Sequence, residues 1–113
     1  MNKITLILCF ILGSVFGQRV VGYYPQWVQN GFPVSNIDLS VVTHVNHAFA
    51  WPDVNGNIQS YNNMFNASIN QTIHDEGRKI LLSLGGGGND IGFSTVAASS
   101  ELRITFINNL MNI

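Results

Sequence analysis

Ser83 with a histidine base is the simplest nucleophilic pair this sequence offers, and His47 is the base at hand. The pair lacks a third member, because no acid stands near in a pattern that would orient the imidazole. Metal binding is the other use of histidine. His44 and His47 lie three apart on a predicted strand, project to opposite faces, and cannot share an ion without a bulge. Cys9 is the only cysteine and falls in a leader segment described below, which leaves zinc no thiolate. We read no metal and no cofactor. His44 reads as a packed or hydrogen-bonded histidine, and Asp75-Glu76 as a solvated surface pair.

The stretch SLGGGG, Ser83 to Gly88, is the second chemical feature. Four adjacent glycines are entropically expensive unless the backbone needs a shape that side chains would block. A phosphate cradle is one use, but the details fail. Gly87 and Gly92 have the spacing of a nucleotide-binding loop, yet Phe93 stands where its lysine belongs, and the dinucleotide pattern from Gly85 would need glycine at Asp90. A flexible surface loop is a second use. A third follows from strand parity: Ser83 and Gly85 share one face, Leu82 and Leu84 the other. In a closed parallel barrel the apolar face would pack on outer helices, and the small residues would face the mouth, where such barrels hold their sites.

Aromatic residues point to the same place. Tyr23 and Tyr24 end one predicted strand with Trp27 just beyond it, and Phe49 and Trp51 end the next. Rings gathered at one mouth would stack on the C–H faces of sugars, while tyrosine hydroxyls bond polar edges.

Three strands must position these residues: RVVGYY (19–24), THVNHAFA (43–50) and KILLSL (79–84). Their near-continuous apolar character predicts parallel strands buried on both faces. Between them, 37–41 predicts a short helical turn, and Phe65, Ile69 and Ile73 predict a helix that stops at Gly77. Ser99 or Ser100 caps a third helix with the stripe Leu102, Phe106 and Leu110, and Asn55-Gly56 marks a tight turn. The alternation predicts an α/β fold with right-handed crossovers.

The chain has 113 residues, 46% hydrophobic and 10% charged, with a formal net charge of −1. That composition excludes disorder and gives no pull toward nucleic acid. Lys3, the apolar run 4–12 and Val15-Phe16-Gly17 read as a secretory signal peptide over 1–17, with 18–113 as the mature segment. The expected location is extracellular, with no membrane anchor after cleavage. Asn66-Ala67-Ser68 and Asn70-Gln71-Thr72 then become candidate glycosylation sites at Asn66 and Asn70.

Three motifs in order carry a resemblance. VVGYYPQW (20–27), VTHVNHAFA (42–50) and KILLSLGG (79–86) resemble the first three barrel strands of the chitinases of glycoside hydrolase family 18. The resemblance covers residues 19–113. It implies an eight-stranded (β/α)8 TIM barrel of which only the first three βα units are present. It implies a secreted glycosidase acting on chitin or another N-acetylglucosamine polymer, by retaining, substrate-assisted hydrolysis without a metal. In that scheme a glutamic acid protonates the glycosidic oxygen and the sugar's acetamido oxygen attacks the anomeric carbon.

Carried over by position, Tyr23 and Ser83 would hydrogen-bond the aspartates ahead of that glutamate. Phe49 would line the floor beneath the sugar, Trp27 would stack on a sugar farther along, and Gly85 and Gly86 would form the tight floor after the third strand. Two positions depart from the family: Gly87 replaces a common tryptophan, and His47 replaces a common tyrosine and would alter pocket polarity. The family's Asp-x-x-Asp-x-Asp-x-Glu pattern is not formed by the six acids here, so the catalytic glutamate is expected beyond Ile113. The chain alone is expected to be poorly folded and inactive. Alternatives are a non-catalytic chitinase-like lectin that binds chitin oligosaccharides, and a short secreted protein with an α/β fold of its own.

Overall fold

The computed structural model describes residues 17–61, 64–88 and 90–113, so all of the leader except Gly17 lies outside the described residues. The elements run in the order β1 (Val21–Pro25), β2 (His44–Pro52), β3 (Ile58–Ser60), α1 (Ala67–Asp75), β4 (Lys79–Leu84), α2 (Ile91–Ala98) and α3 (Ser100–Met111). The fold is mixed α/β. β2 lies at the centre, with β1 and β4 parallel to it on opposite edges. The three strands expected from the sequence are therefore present and run in one direction.

Register sorts the side chains into two faces, because aligned residues of a parallel pair point the same way. One face carries the rows Gly22–Val45–Ile80 and Tyr24–His47–Leu82. Tyr24, Val45, Leu39, Ile69 and Ile73 are buried together there, with Val28, Val34, Ile37, Val42 and Ile80 packed around them. The opposite face carries Tyr23–Asn46–Leu81 and Pro25–Ala48–Ser83. It is the open face: Tyr23 is 60% exposed and Leu81 49%. Burial on both faces, read from the apolar runs, holds for β2 but not for its two neighbours.

α1 covers the core face with Ile69 and Ile73, two members of the predicted stripe. Phe65 lies ahead of the helix and is exposed. Asn66 fixes the start: its Oδ1 accepts from the Ser68 N–H at 2.9 Å and from the Ser68 hydroxyl at 2.7 Å. That satisfies one of the free N–H groups of the first turn. α3 begins as its caps predict, with Ser99 Oγ accepting from the Leu102 N–H at 3.3 Å.

Three features correct the expected order of units. The first crossover contains no α-helix. Two 3-10 turns, Gln26–Val28 and Val34–Asn36, stand in its place, and the turn predicted at 37–41 is not helical at Ile37. Pro25 and Pro33 hold extended backbone immediately before each turn, so neither can grow backward, and Ile37 leaves the helical region at ψ 125°.

Secondly, β3 is an unforeseen antiparallel strand, pairing Ala50 with Ser60 and Pro52 with Ile58. Three residues are too few to show alternation. The predicted Asn55-Gly56 turn connects it, and Asp53 braces that turn. Its carboxylate accepts from the backbone N–H of Asn55 at 2.8 Å and of Asn57 at 2.9 Å, and from the Asn57 side-chain amide at 3.0 Å.

Thirdly, α2 precedes the predicted third helix. It comes so close to the end of β2 that a Cβ on Gly92 would stand 1.8 Å from the Pro52 carbonyl oxygen. Only glycine fits there.

Candidate functional site

The C-terminal ends of β1, β2 and β3 bring together five aromatic rings. Tyr23 lies 6.0 Å from Phe49, centroid to centroid, and Phe49 lies 6.0 Å from Trp27 in a stacked pair. Trp27 meets Tyr61 at 5.5 Å, edge to face, and Tyr61 meets Trp51 at 5.3 Å in the same manner. These are favourable separations and orientations for ring pairs. The row is open to solvent: Tyr23 is 60%, Trp27 55% and Tyr61 39% exposed.

Phe49 joins the row because β2 breaks its alternation. Strict period two would put Phe49 on the face of Val45 and His47, within the core. The pairing of β2 with β4 shifts register between Ala48 and Ala50, and the Ala48–Phe49 peptide is cis. Phe49 lies against Tyr23 and Trp27, on the open face.

The ring then rests on the glycine run. A Cβ on Gly86 would come within 3.0 Å of Phe49 Cδ2, and Gly86 has φ +94°. Both facts demand glycine. Gly85 donates its N–H to the Ala50 carbonyl at 2.8 Å, which ties the start of the loop to β2. A Cβ on Gly87 would meet nothing within 4 Å, so the position that departs from the family pattern is open space. The end of the run, Gly88, borders a groove with Trp51, Pro52 and Ile91.

Each residue singled out in the sequence can now be placed. Tyr23, Trp27, Phe49 and Gly86 form one connected group. Gly85 adjoins it. Ser83 aligns with Ala48 on the same open face as Tyr23, separated from it by β2. His47 does not face this site. It is 4% exposed, stacks on Tyr24 at 5.9 Å, and its Nε2 lies 2.6 Å from the Gln29 amide nitrogen, which donates to it. It therefore leaves the polarity of the open face alone, and Ser83 and His47 cannot meet across the sheet. Burial holds the His47 pKa below its ordinary value. His44, with its Nδ1 at 2.8 Å from Thr43 Oγ1, is hydrogen-bonded at the opposite end of β2.

Sequence reasoning missed Tyr61. It follows β3, and without that strand nothing brings it to the mouth. The Asn55-Gly56 turn, which favours a returning strand, was the available signal. Asp53 is the acid nearest the row in sequence, and its pKa lies below the carboxylate range. The Asn57 side-chain amide is the main cause, followed by the Asn57 backbone N–H. Asp38 is lowered in the same way by Ser40, whose hydroxyl and N–H both donate to it. Among the described residues no cluster of three or more His, Cys, Asp or Glu side chains is placed to hold a metal.

The chain is similar in sequence and fold to known proteins. Residues 19–113 match the pattern of Glycosyl hydrolases family 18. A class V chitinase of Lotus japonicus is 33% identical over 100 residues, a match covering 80% of this chain and 24% of the relative. A chitinase of Rhizomucor miehei superposes with a TM-score of 0.73 at 27% identity, over 84% of this chain and 29% of that one. A chitinase of Cycas revoluta, solved in complex with (GlcNAc)3, superposes with a TM-score of 0.69 at 25% identity, over 79% of this chain and 28% of its own. The chain thus spans about a quarter of the length of the curated relative it matches. With the match running over residues 19–113, the chain belongs to the glycosyl hydrolases of family 18.

Proposed function

We propose that residues 18–113 form the first part of a secreted (β/α)8 barrel and provide a sugar-binding wall for hydrolysis of β-1,4-linked N-acetylglucosamine polymers. The observation that carries this reading is the unbroken row Tyr23–Phe49–Trp27–Tyr61–Trp51 above Gly86. Alternating C–H faces and polar edges of a β-linked chain suit such a row, since rings take the C–H faces and the Tyr23 hydroxyl can take an edge. The complex of the Cycas revoluta chitinase with (GlcNAc)3 supports the same class of ligand.

Phe49 is the floor under the sugar beside the cleaved bond, Trp27 stacks farther along, and Tyr23 and Ser83 orient the acids. Hydrolysis is retaining: the substrate's acetamido oxygen attacks the anomeric carbon while a glutamic acid protonates the departing oxygen. That acid must hold its proton near neutral pH. Asp53 and Asp38 are held ionised by amide and hydroxyl donors and are unsuited to the task. We assign the acid to a residue outside 18–113. The leader read over 1–17 directs secretion, and Asn66 and Asn70 are the proposed glycan acceptors; both side chains are half-buried, Asn66 at the start of α1 and Asn70 within it.

The test is hydrolysis of a fluorogenic chitobioside, with chitohexaose binding read by tryptophan fluorescence, on the protein as its gene encodes it. Turnover with binding is expected. Binding without turnover would favour the lectin reading, and absence of both would overturn the sugar-binding assignment. Clear turnover by 18–113 alone would overturn the placement of the acid.

A further inference from the structure

Tyr61 is the one ring of the row that touches two tryptophans. It stands edge-on to Trp27 at 5.5 Å with an interplanar angle of 77°, and to Trp51 at 5.3 Å with an angle of 68°. Among the described residues Trp27 has two ring neighbours, Phe49 stacked at 27° and Tyr61 near perpendicular. It sits in a short 3-10 turn, Gln26–Val28, that buries none of its residues. Such a turn does little to fix an indole that is 55% exposed. The constraint has to come from the neighbouring rings. Phe49 sets the tilt of the indole plane from one side, and Tyr61 blocks rotation from the other.

We propose that Tyr61 is a positioning residue that locks Trp27 in its sugar-stacking orientation. It does so through its ring edge rather than its hydroxyl. This inference rests on the sugar-binding reading above and deepens it. The element that delivers Tyr61 is β3, which pairs with Ala50–Pro52 and so fixes the tyrosine relative to Trp51 on the same hairpin. Trp27 arrives from a different crossover. Tyr61 thus adds a second contact, beside Phe49–Trp27, between the first crossover and the β2–β3 hairpin. A long oligosaccharide that spans the row depends on that join, whereas a ligand confined to Tyr23 and Phe49 does not.

The experiment compares Tyr61→Ala and Tyr61→Phe in the protein as its gene encodes it. Acrylamide quenching is followed without ligand, and the share owed to Trp27 is read as the difference between each protein and its Trp27→Phe counterpart. Affinities for chitohexaose and chitobiose are then measured. Tyr61→Ala should raise the quenching of Trp27 and weaken chitohexaose binding about fivefold, the value expected for loss of one aromatic pair. Chitobiose binding should hold, and Tyr61→Phe should keep the quenching of Trp27 at its original level and lose less chitohexaose affinity than Tyr61→Ala.

Unchanged quenching and unchanged chitohexaose affinity in Tyr61→Ala would overturn the proposal alone. So would a Tyr61→Phe variant as weak as Tyr61→Ala, since that would make the hydroxyl a direct sugar ligand. Failure of the unaltered protein to bind chitohexaose would overturn the sugar reading and this proposal with it.

Discussion

Phe49 lies where two constraints meet. Its ring links Tyr23 to Trp27, and its underside occupies the space that a side chain on Gly86 would take. Gly86→Ala should therefore destabilise the protein by roughly 1–3 kcal/mol, from backbone strain at positive φ together with displacement of the ring. Chemical denaturation gives the stability change. Chitohexaose affinity should fall in the same variant, because the row is broken at its middle. On the other side of β2, His47 makes a prediction of a different kind. Burial lowers its pKa from the ordinary 6.5, and Gln29 already donates to its Nε2. The folded state thus keeps the ring neutral at pH values where the unfolded chain takes up a proton. Stability from this group is full above pH 6.5 and is lost as pH falls through that value toward the lower folded one. Denaturation midpoints measured downward from pH 7 should show the decline, and His47→Phe should flatten it.

The elements show which parts of the fold were legible. All three parallel strands could be read from apolar runs, because β-branched and aromatic residues concentrate there. The cap at Ser99 and the turn at Asn55-Gly56 were legible for equally local reasons. β3 was not, since its identity lies in its pairing with Ala50–Pro52 rather than in its own three residues. Tyr61 was lost with it. Phe49 was read at the mouth from its place at a strand end, not from alternation, which assigns it to the core; the register shift against β4 accompanies its turn outward. α2 was missed because its packing depends on a single absence, the missing side chain of Gly92. Gly92→Ala would drive a methyl into the Pro52 carbonyl, 1.8 Å away, so α2 must move off the sheet. The expected loss is about 3 kcal/mol, at the upper end for overpacking. Hydrogen exchange should show faster exchange throughout Ile91–Ala98 than in α1.

As a whole, the molecule has one finished face and one unfinished. Helix α1 closes the core side, while Val21, Tyr23 and Leu81 leave apolar surface exposed on the other, at 50%, 60% and 49%. Among the described residues β1 and β4 each pair only with β2, so both present an unpaired edge. Open edges beside apolar surface promote association. Residues 18–113 expressed alone should therefore self-associate in light scattering and unfold without a sharp transition. A monomer with a cooperative thermal transition would refute this and favour an independent small fold.

The turn of the β2–β3 hairpin is fastened from far along the chain. Asn109 on α3 donates its side-chain amide to the Gly56 carbonyl at 2.9 Å, across 53 residues. During synthesis the polypeptide leaves the ribosome from its amino end. Trp51 and Tyr61 emerge before Asn109, and the fastening for their hairpin follows 53 residues after Gly56. The nascent chain must carry these rings unclasped for dozens of codons, and that interval is when a chaperone would have reason to attend it.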